Sequence, residues 1–248
     1  MAASAKKYRY NATPRLSANQ LAEYLTAHAD RRTGIIQAAK YPKTSVVARY
    51  DPACDAITNF LCSNARSGTD LAKAIEQQKA REQKIGASTW IKQDAQLSAE
   101  AINAFWKSYN KLGLGKFSCR PVAASAPKLN INGVDISVAL DVTTHRKDKD
   151  DQAYVGGIIM VFSKAEASAS ARERRCRVAA VLSALFAEKH LATLGKTDPK
   201  MCISLDVFAG KTYPTPGSYV KRLSQINTSC KEVTLWWPTI DPPDDYDG

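Results

Sequence analysis

Residues 154–162 read YVGGIIMVF. A short run that is apolar on both alternating faces is the pattern of a strand covered on both sides. The pair Gly156-Gly157 inside it points to a bulge or a close backbone approach. A long helix is predicted next, from about Ser168 to Leu191, with Val178, Val181, Leu182, Leu185 and Phe186 facing inward. Residues 201–208, MCISLDVF, then read as a second strand ended by Ala209-Gly210. A strand, a long helical crossover and another strand require parallel pairing. Upstream, Val134–Val142 (VDISVALDV) alternates, with Val134, Ile136, Val138, Leu140 and Val142 on one face, which predicts a strand of period two. The charged stretch from His145 to Gln152 (HRKDKDDQ) reads as an exposed loop, and a last helix is predicted from Ser218 to Trp237.

The first half is read as mostly helical. Ser17 and Gln20 form a capping-box pattern that opens a helix with Leu21, Tyr24, Leu25 and His28 on one face. Asp30 starts a second helix stopped by Tyr41-Pro42, and Asp51-Pro52 begins a third, broken by Gly68. A polar helix follows from Thr69 or Asp70. Ser98 is read as the cap of a stronger one, with Ile102, Phe105, Trp106 and Tyr109 at helical spacing. Residues 1–14 read as a basic, poorly structured arm. The fold class is therefore mixed α/β (α+β): one domain over 1–248, a helical subregion at 15–112 packed on an α/β core at 116–240 with a mixed sheet flanked by helices, and an acidic tail at 241–248.

The 248 residues carry a formal net charge of +11. Asp241, Asp244, Asp245 and Asp247 crowd the last eight positions, so residues 1–240 stand at +15. A surplus of that size favours polyanions, nucleic acid first and acidic protein surfaces second; the plainer reading is a solvated lysine surface. The cysteines at 54, 62, 119, 176, 202 and 230 show no C-x-x-C spacing, which argues against zinc. The first residues, MAASAKKYRYNATPRL, lack the apolar stretch of a signal peptide, and no run of 18 apolar residues predicts a membrane span. A reducing cytoplasm is the expected compartment.

Two constellations carry chemistry. Asp141 and Asp206 lie in predicted strands, where two carboxylates brought together would suit Mg2+ as a cofactor; the plainer reading leaves each solvated or ion-paired. Arg172, Arg174, Arg175 and Arg177 crowd the start of the long helix, where positive charge opposes the helix dipole. A bound phosphate would compensate them, as would pairing with the acidic tail or the Asp148–Asp151 loop. Aromatic residues stand beside basic ones at Lys7–Tyr10, Arg49-Tyr50, Trp90–Lys92 and Tyr219–Arg222, a pattern that suits base stacking but is more often simple packing. Trp236 and Trp237 are assigned to the core. His28, His145 and His190 have no serine or cysteine motif beside them, and Gly113-Leu-Gly115-Lys116 lacks the rest of a phosphate-binding loop.

With these elements in place, residues 128–237 resemble the core of the PD-(D/E)XK nuclease superfamily in the order of their elements. That family places an acid on one strand and a Glu-x-Lys triplet on its neighbour to hold magnesium and orient the attacking water. Asp141 matches the first acid. The neighbouring strand reads GGIIMVF, with no acid and no lysine before Lys164. Outside this stretch the chain resembles bacterial proteins, which adds no chemistry. The resemblance implies a degenerate copy; joined to the +15 body and the arginine run, it leads to the expectation of a nuclease-like protein that binds DNA or RNA, with Arg172, Arg174, Arg175, Arg177 and Lys164 on phosphates. The alternatives are a regulatory module docking an acidic protein partner, and an active Mg2+-dependent nuclease. The sequence sets no oligomeric state.

Overall fold

Residues Ala153–Val161 form the central strand of a six-stranded sheet, hydrogen-bonded to neighbours on both sides. The computed structural model describes residues 6–44, 49–122, 126–163 and 169–247. In chain order the elements are β1 (Arg15–Ser17), α1 (Ala18–Thr26), α2 (Ala29–Lys40), α3 (Asp51–Cys62), α4 (Gly68–Gln83) and α5 (Thr89–Ser108). They continue as β2 (Ser118–Pro121), β3 (Leu129–Ile131), β4 (Val134–Ser137), β5 (Val142–Lys147), β6 (Ala153–Val161) and α6 (Ala169–His190). The last are β7 (Lys196–Thr197), β8 (Ile203–Asp206), β9 (Lys211–Pro214) and α7 (Val220–Trp236). This is the mixed α/β class that the patterning predicts.

Contacts group the chain into two compact units. The first holds Met1–Val47, Ser125–Ala139 and Ser218–Gly248; the second holds Ala48–Ala124 and Leu140–Gly217. The subregion boundaries expected at 112 and 116 are not where the contacts divide, because segments distant in sequence are recruited into each unit.

In the second unit the strand order is β2-β5-β6-β8-β9, with β7 also on β6. The β2-β5-β6 meander is antiparallel. β6 and β8 are parallel, joined through α6, as the long crossover requires. Ile158 and Met160 of β6, with Ile203 and Leu205 of β8, pack into one core with Ile57 and Phe60 of α3 and Ile102 and Phe105 of α5. Cys202 packs instead with Ala184 and Ala187 of α6, so successive residues serve opposite faces. The glycine pair makes no bulge: Thr144↔Gly156 and Thr143↔Gly157 pair in continuous register. It permits close approach, since a Cβ on Gly157 would meet Leu140 Cδ1 at 2.6 Å.

The first unit has a three-stranded sheet, order β1-β4-β3, with β1 parallel and β3 antiparallel to β4. The capping box at α1 is formed as predicted: Ser17 Oγ accepts from Gln20 N, and Gln20 Oε1 accepts from Ser17 N. The described part of the N-terminal arm is tied down, unlike the free arm expected. Tyr8 is buried and bridges Lys43, and Asn11 N donates to Lys40 O at 2.8 Å. The acidic tail folds back on it, with Asp245 accepting from Lys7 Nζ and from the Tyr8 hydroxyl. Lys40 is buried, its ammonium donating to Ile240 O at 2.8 Å.

Four local readings are corrected. The predicted strand 134–142 is two strands in different sheets, broken at 138–141. His145–Lys147 continue β5 rather than opening a loop. The cap of α5 is Ser88, whose Oγ accepts from Ile91 N, and Ser98 is a buried residue inside the helix. Trp237 is buried, but Trp236 is 46% exposed. Among the described residues, no helix is long and apolar enough to cross a membrane.

Candidate functional site

The arginines of α6 do not act as one cluster. At about 100° per residue, Arg172 and Arg175 fall on one side of the helix and Arg174 and Arg177 on another. Arg172 is turned toward the end of β8, its Nε 3.9 Å from Asp206 Oδ2. Arg175 also buries its Nε, which has no hydrogen-bond partner among the described residues. Arg174 is exposed. Arg177 donates to Glu173 at 2.9 Å and lies over the Tyr213 ring at 5.8 Å. Lys164 lies outside the described residues.

The two aspartates are not neighbours. β5 and β8 lie on opposite sides of β6, two strand spacings apart, about 10 Å. Asp206 is 1% exposed; its Oδ1 accepts from Ala209 N at 2.9 Å while Oδ2 faces Arg172. Asp141 precedes β5 rather than sitting in mid-strand, and its carboxylate continues the β5-β6 ladder. Its N–H donates to Ile158 O, and its Oδ2 accepts from Met160 N at 2.5 Å. Oδ1 accepts from the Cys54 thiol at 2.9 Å. Burial pushes the Asp141 carboxyl above the ordinary carboxylate range, and burial likewise pushes the Cys54 thiol up, so it is no ready nucleophile. β6 beside Asp141 carries neither acid nor lysine between Ala153 and Val161. Among the described residues, no group of three or more His, Cys, Asp or Glu is placed to hold a metal ion.

A pH experiment tests the role of Asp141. A carboxyl raised in the folded chain keeps its proton over a window where the unfolded chain has lost it, so stability falls as pH rises through that window. Urea midpoints should therefore decline for the natural chain from about pH 4 upward, relative to Asp141→Asn, whose amide can still accept from Met160 and face Cys54. Parallel profiles for the two proteins would show that the Asp141 carboxyl titrates alike in the folded and the unfolded chain.

His145, read as a solvated loop residue, is half-buried on β5 with Nε2 2.9 Å from Thr143 Oγ1. Burial first, and then the Arg120 charge, lower its pKa and favour the neutral ring.

The cationic feature that the sequence did not reveal lies along the edge strand β9. A groove of about 550 Å³ is lined by Lys116, Phe117, Arg177, Lys200 and Tyr213, among others, and among the described residues no acid lines it. Its parts come from four segments. Gly113 has φ +67°, the left-handed conformation that glycine adopts without strain, and turns the chain into the short 3-10 helix Leu114–Lys116. Arg66 locks that loop, donating to Leu114 O at 3.1 Å, Phe117 O at 2.5 Å and the Tyr109 hydroxyl at 3.0 Å. Asp198 caps the turn before β8 by accepting from Lys200 N at 2.9 Å, which sets Lys200 on the rim. Thr215 Oγ1 donates to Ala180 O at 2.7 Å and fixes the far wall against α6. The Glu173–Arg177 pair is solvent-exposed, so it is worth about 0.3–0.5 kcal/mol and holds Arg177 only weakly. Among the described residues of the sequence-based set, Arg177 is the one that lines this groove. The one local signal was Gly113-Leu-Gly115-Lys116, a loop with a lysine at its end.

No protein-family model matches the chain, and no curated protein matches it in sequence.

Proposed function

We propose that the second unit binds nucleic acid along the β9 groove. Lys116, Arg177 and Lys200 contact phosphates, and Tyr213 offers an aromatic face to a base. The supporting observation is that three cations from separate segments line one groove whose lining, among the described residues, includes no acid, Glu173 standing behind Arg177 as its exposed partner. Arginine and lysine presented together suit a string of phosphates, the first as a planar fork and the second as a point charge. The resemblance to a nuclease core supports the same partner. Cleavage forms no part of this reading: the carboxylate that matches the family's first acid is engaged by Cys54 and Met160, and its neighbouring strand carries no second acid.

A salt titration of oligonucleotide binding tests it. Each phosphate contact adds about 0.7–0.9 to the slope of log K against log salt. The variant Lys116→Gln/Arg177→Gln/Lys200→Gln should therefore lose about 2 to 3 of that slope. It should weaken binding to unrelated sequences alike, because phosphates carry no base identity. No binding at about 50 mM salt, or an unchanged slope in the triple variant, would remove the groove from consideration. The first of these results, with retention of an acidic protein, would favour a docking module instead.

A further inference from the structure

We propose that the first unit carries a separate binding site for a phosphoryl group, independent of the β9 groove. A cavity of about 210 Å³ opens where β1 runs into α1, lined by Arg9, Asn11, Arg15, Ser17, Gln20 and Ser137 among others. The lining is rich in donors. Arg15 Nη1 donates to Asn11 Oδ1 at 3.4 Å, and Asn11 is itself anchored by donating from Nδ2 to Ala39 O at 2.7 Å. That chain steadies one guanidinium through a single one of its five N–H groups among the described residues. Neither Arg9 nor Arg15 has a carboxylate within ion-pair distance among the described residues, although other arginines of this unit do: Arg31 pairs with Glu23 and Arg32 with Glu232.

The capping box contributes in an unexpected way. Ser17 uses its oxygen as an acceptor for Gln20 N, and Gln20 uses its carbonyl oxygen as an acceptor for Ser17 N. What each side chain has left is a donor, the Ser17 hydroxyl proton and the Gln20 amide NH2. No acid stands in the first turn of α1, so the positive end of the helix adds to the same field. Two guanidinium groups, two hydroxyls and an amide outnumber what a carboxylate, with two oxygens, would need. A phosphoryl dianion, with three terminal oxygens and a charge near −2, matches them better. The volume admits the phosphoryl group itself, and the opening lets whatever bears it extend into solvent.

Calorimetric titration with inorganic phosphate, at constant ionic strength set by chloride, tests the site. Saturable binding is expected, and it should weaken at least tenfold in Arg9→Gln/Arg15→Gln. Arg15→Lys, which keeps charge but loses the fork, should fall between the two. Uridine 5′-monophosphate and uridine separate the sources. Monophosphate binding tighter than inorganic phosphate assigns the site to a nucleotide or nucleic-acid terminus. Equal binding assigns it to the free anion. Uridine binding as tightly as the monophosphate overturns the proposal, and so does heat without saturation or a double variant that binds like the natural chain. The double variant should keep its far-ultraviolet dichroism and its oligonucleotide salt slope from the β9 groove, so failure here and failure of the groove are read separately.

Discussion

Gly156→Ala should be among the most damaging single substitutions in the chain, although it adds only one methyl group. The new Cβ would lie 2.4 Å from the carbonyl oxygen of Met201 and 2.5 Å from its carbonyl carbon, distances that backbone atoms cannot tolerate. Neither side can easily give way. β6 is held between β5 and β8 by paired registers, and the Met201 carbonyl accepts from buried Thr144 Oγ1 at 2.9 Å. Relief therefore means breaking a ladder or orphaning a buried hydroxyl. We expect a cost of about 3 kcal/mol or more, at the upper end of overpacking effects. For a unit of this size that lowers the Tm by roughly 6–12 °C. Gly34→Ala is the control: Gly34 sits inside α2 with open space around it, and the change should stabilise by about 0.5–1 kcal/mol. A Gly156→Ala chain that melts within a degree or two of the natural one would mean that β6 does not lie against the Pro199–Met201 turn.

That glycine also shows what a sequence can disclose. YVGGIIMVF could be read as a doubly covered strand because burial on both faces leaves a local trace, and the parallel crossover followed from the length of α6. The split of Val134–Val142 left none. Its alternation runs unbroken through residues 138–141, yet Val134–Ser137 pairs with Arg15–Ser17, more than a hundred residues away, while Val142 onward pairs with β2 and β6. Periodicity records which face is buried and is blind to the partner. Ser98 misled for a related reason: a serine within an apolar helical pattern suits a cap or a tightly packed face equally well, and only the geometry at Ser88 decides between them. The β9 groove was the hardest feature to read. Lys116, Lys200 and Tyr213 share no spacing, and they meet only through the tertiary fold: Arg66 gathers the carbonyls of the 114–117 turn, the Asp198 cap sets Lys200, and pairing of β9 with β8 sets Tyr213. The arginine run on α6 had the opposite defect. It was conspicuous in sequence, but a helix sends consecutive residues in different directions, so one of its four arginines reaches the groove.

Asp94→Ala is expected to destabilise the second unit by about 3 kcal/mol, through charge rather than volume. Asp94 is 2% exposed on α5, and it joins three segments. Its Oδ2 accepts from Arg81 Nη1 of α4 at 2.7 Å, and its Oδ1 accepts from the backbone N–H of Tyr50 at 3.0 Å. Tyr50 holds a left-handed φ of +69° at the start of α3, with its ring stacked on Phe162 at 5.2 Å. Removing the carboxylate leaves a guanidinium without its counter-charge and takes the acceptor from a strained backbone position. The cost falls at the low end of the range for broken buried pairs because Arg81 keeps a third of its side chain in water. Asp94→Asn retains an acceptor for Tyr50 and should lose about half as much. Arg81→Met combined with Asp94→Ala should cost less than the sum of the two single changes, since no charge is then stranded. Urea midpoints for the natural chain, the two single variants and the double variant give the coupling directly. A coupling indistinguishable from zero would mean that Asp94 matters only as the acceptor that holds Tyr50.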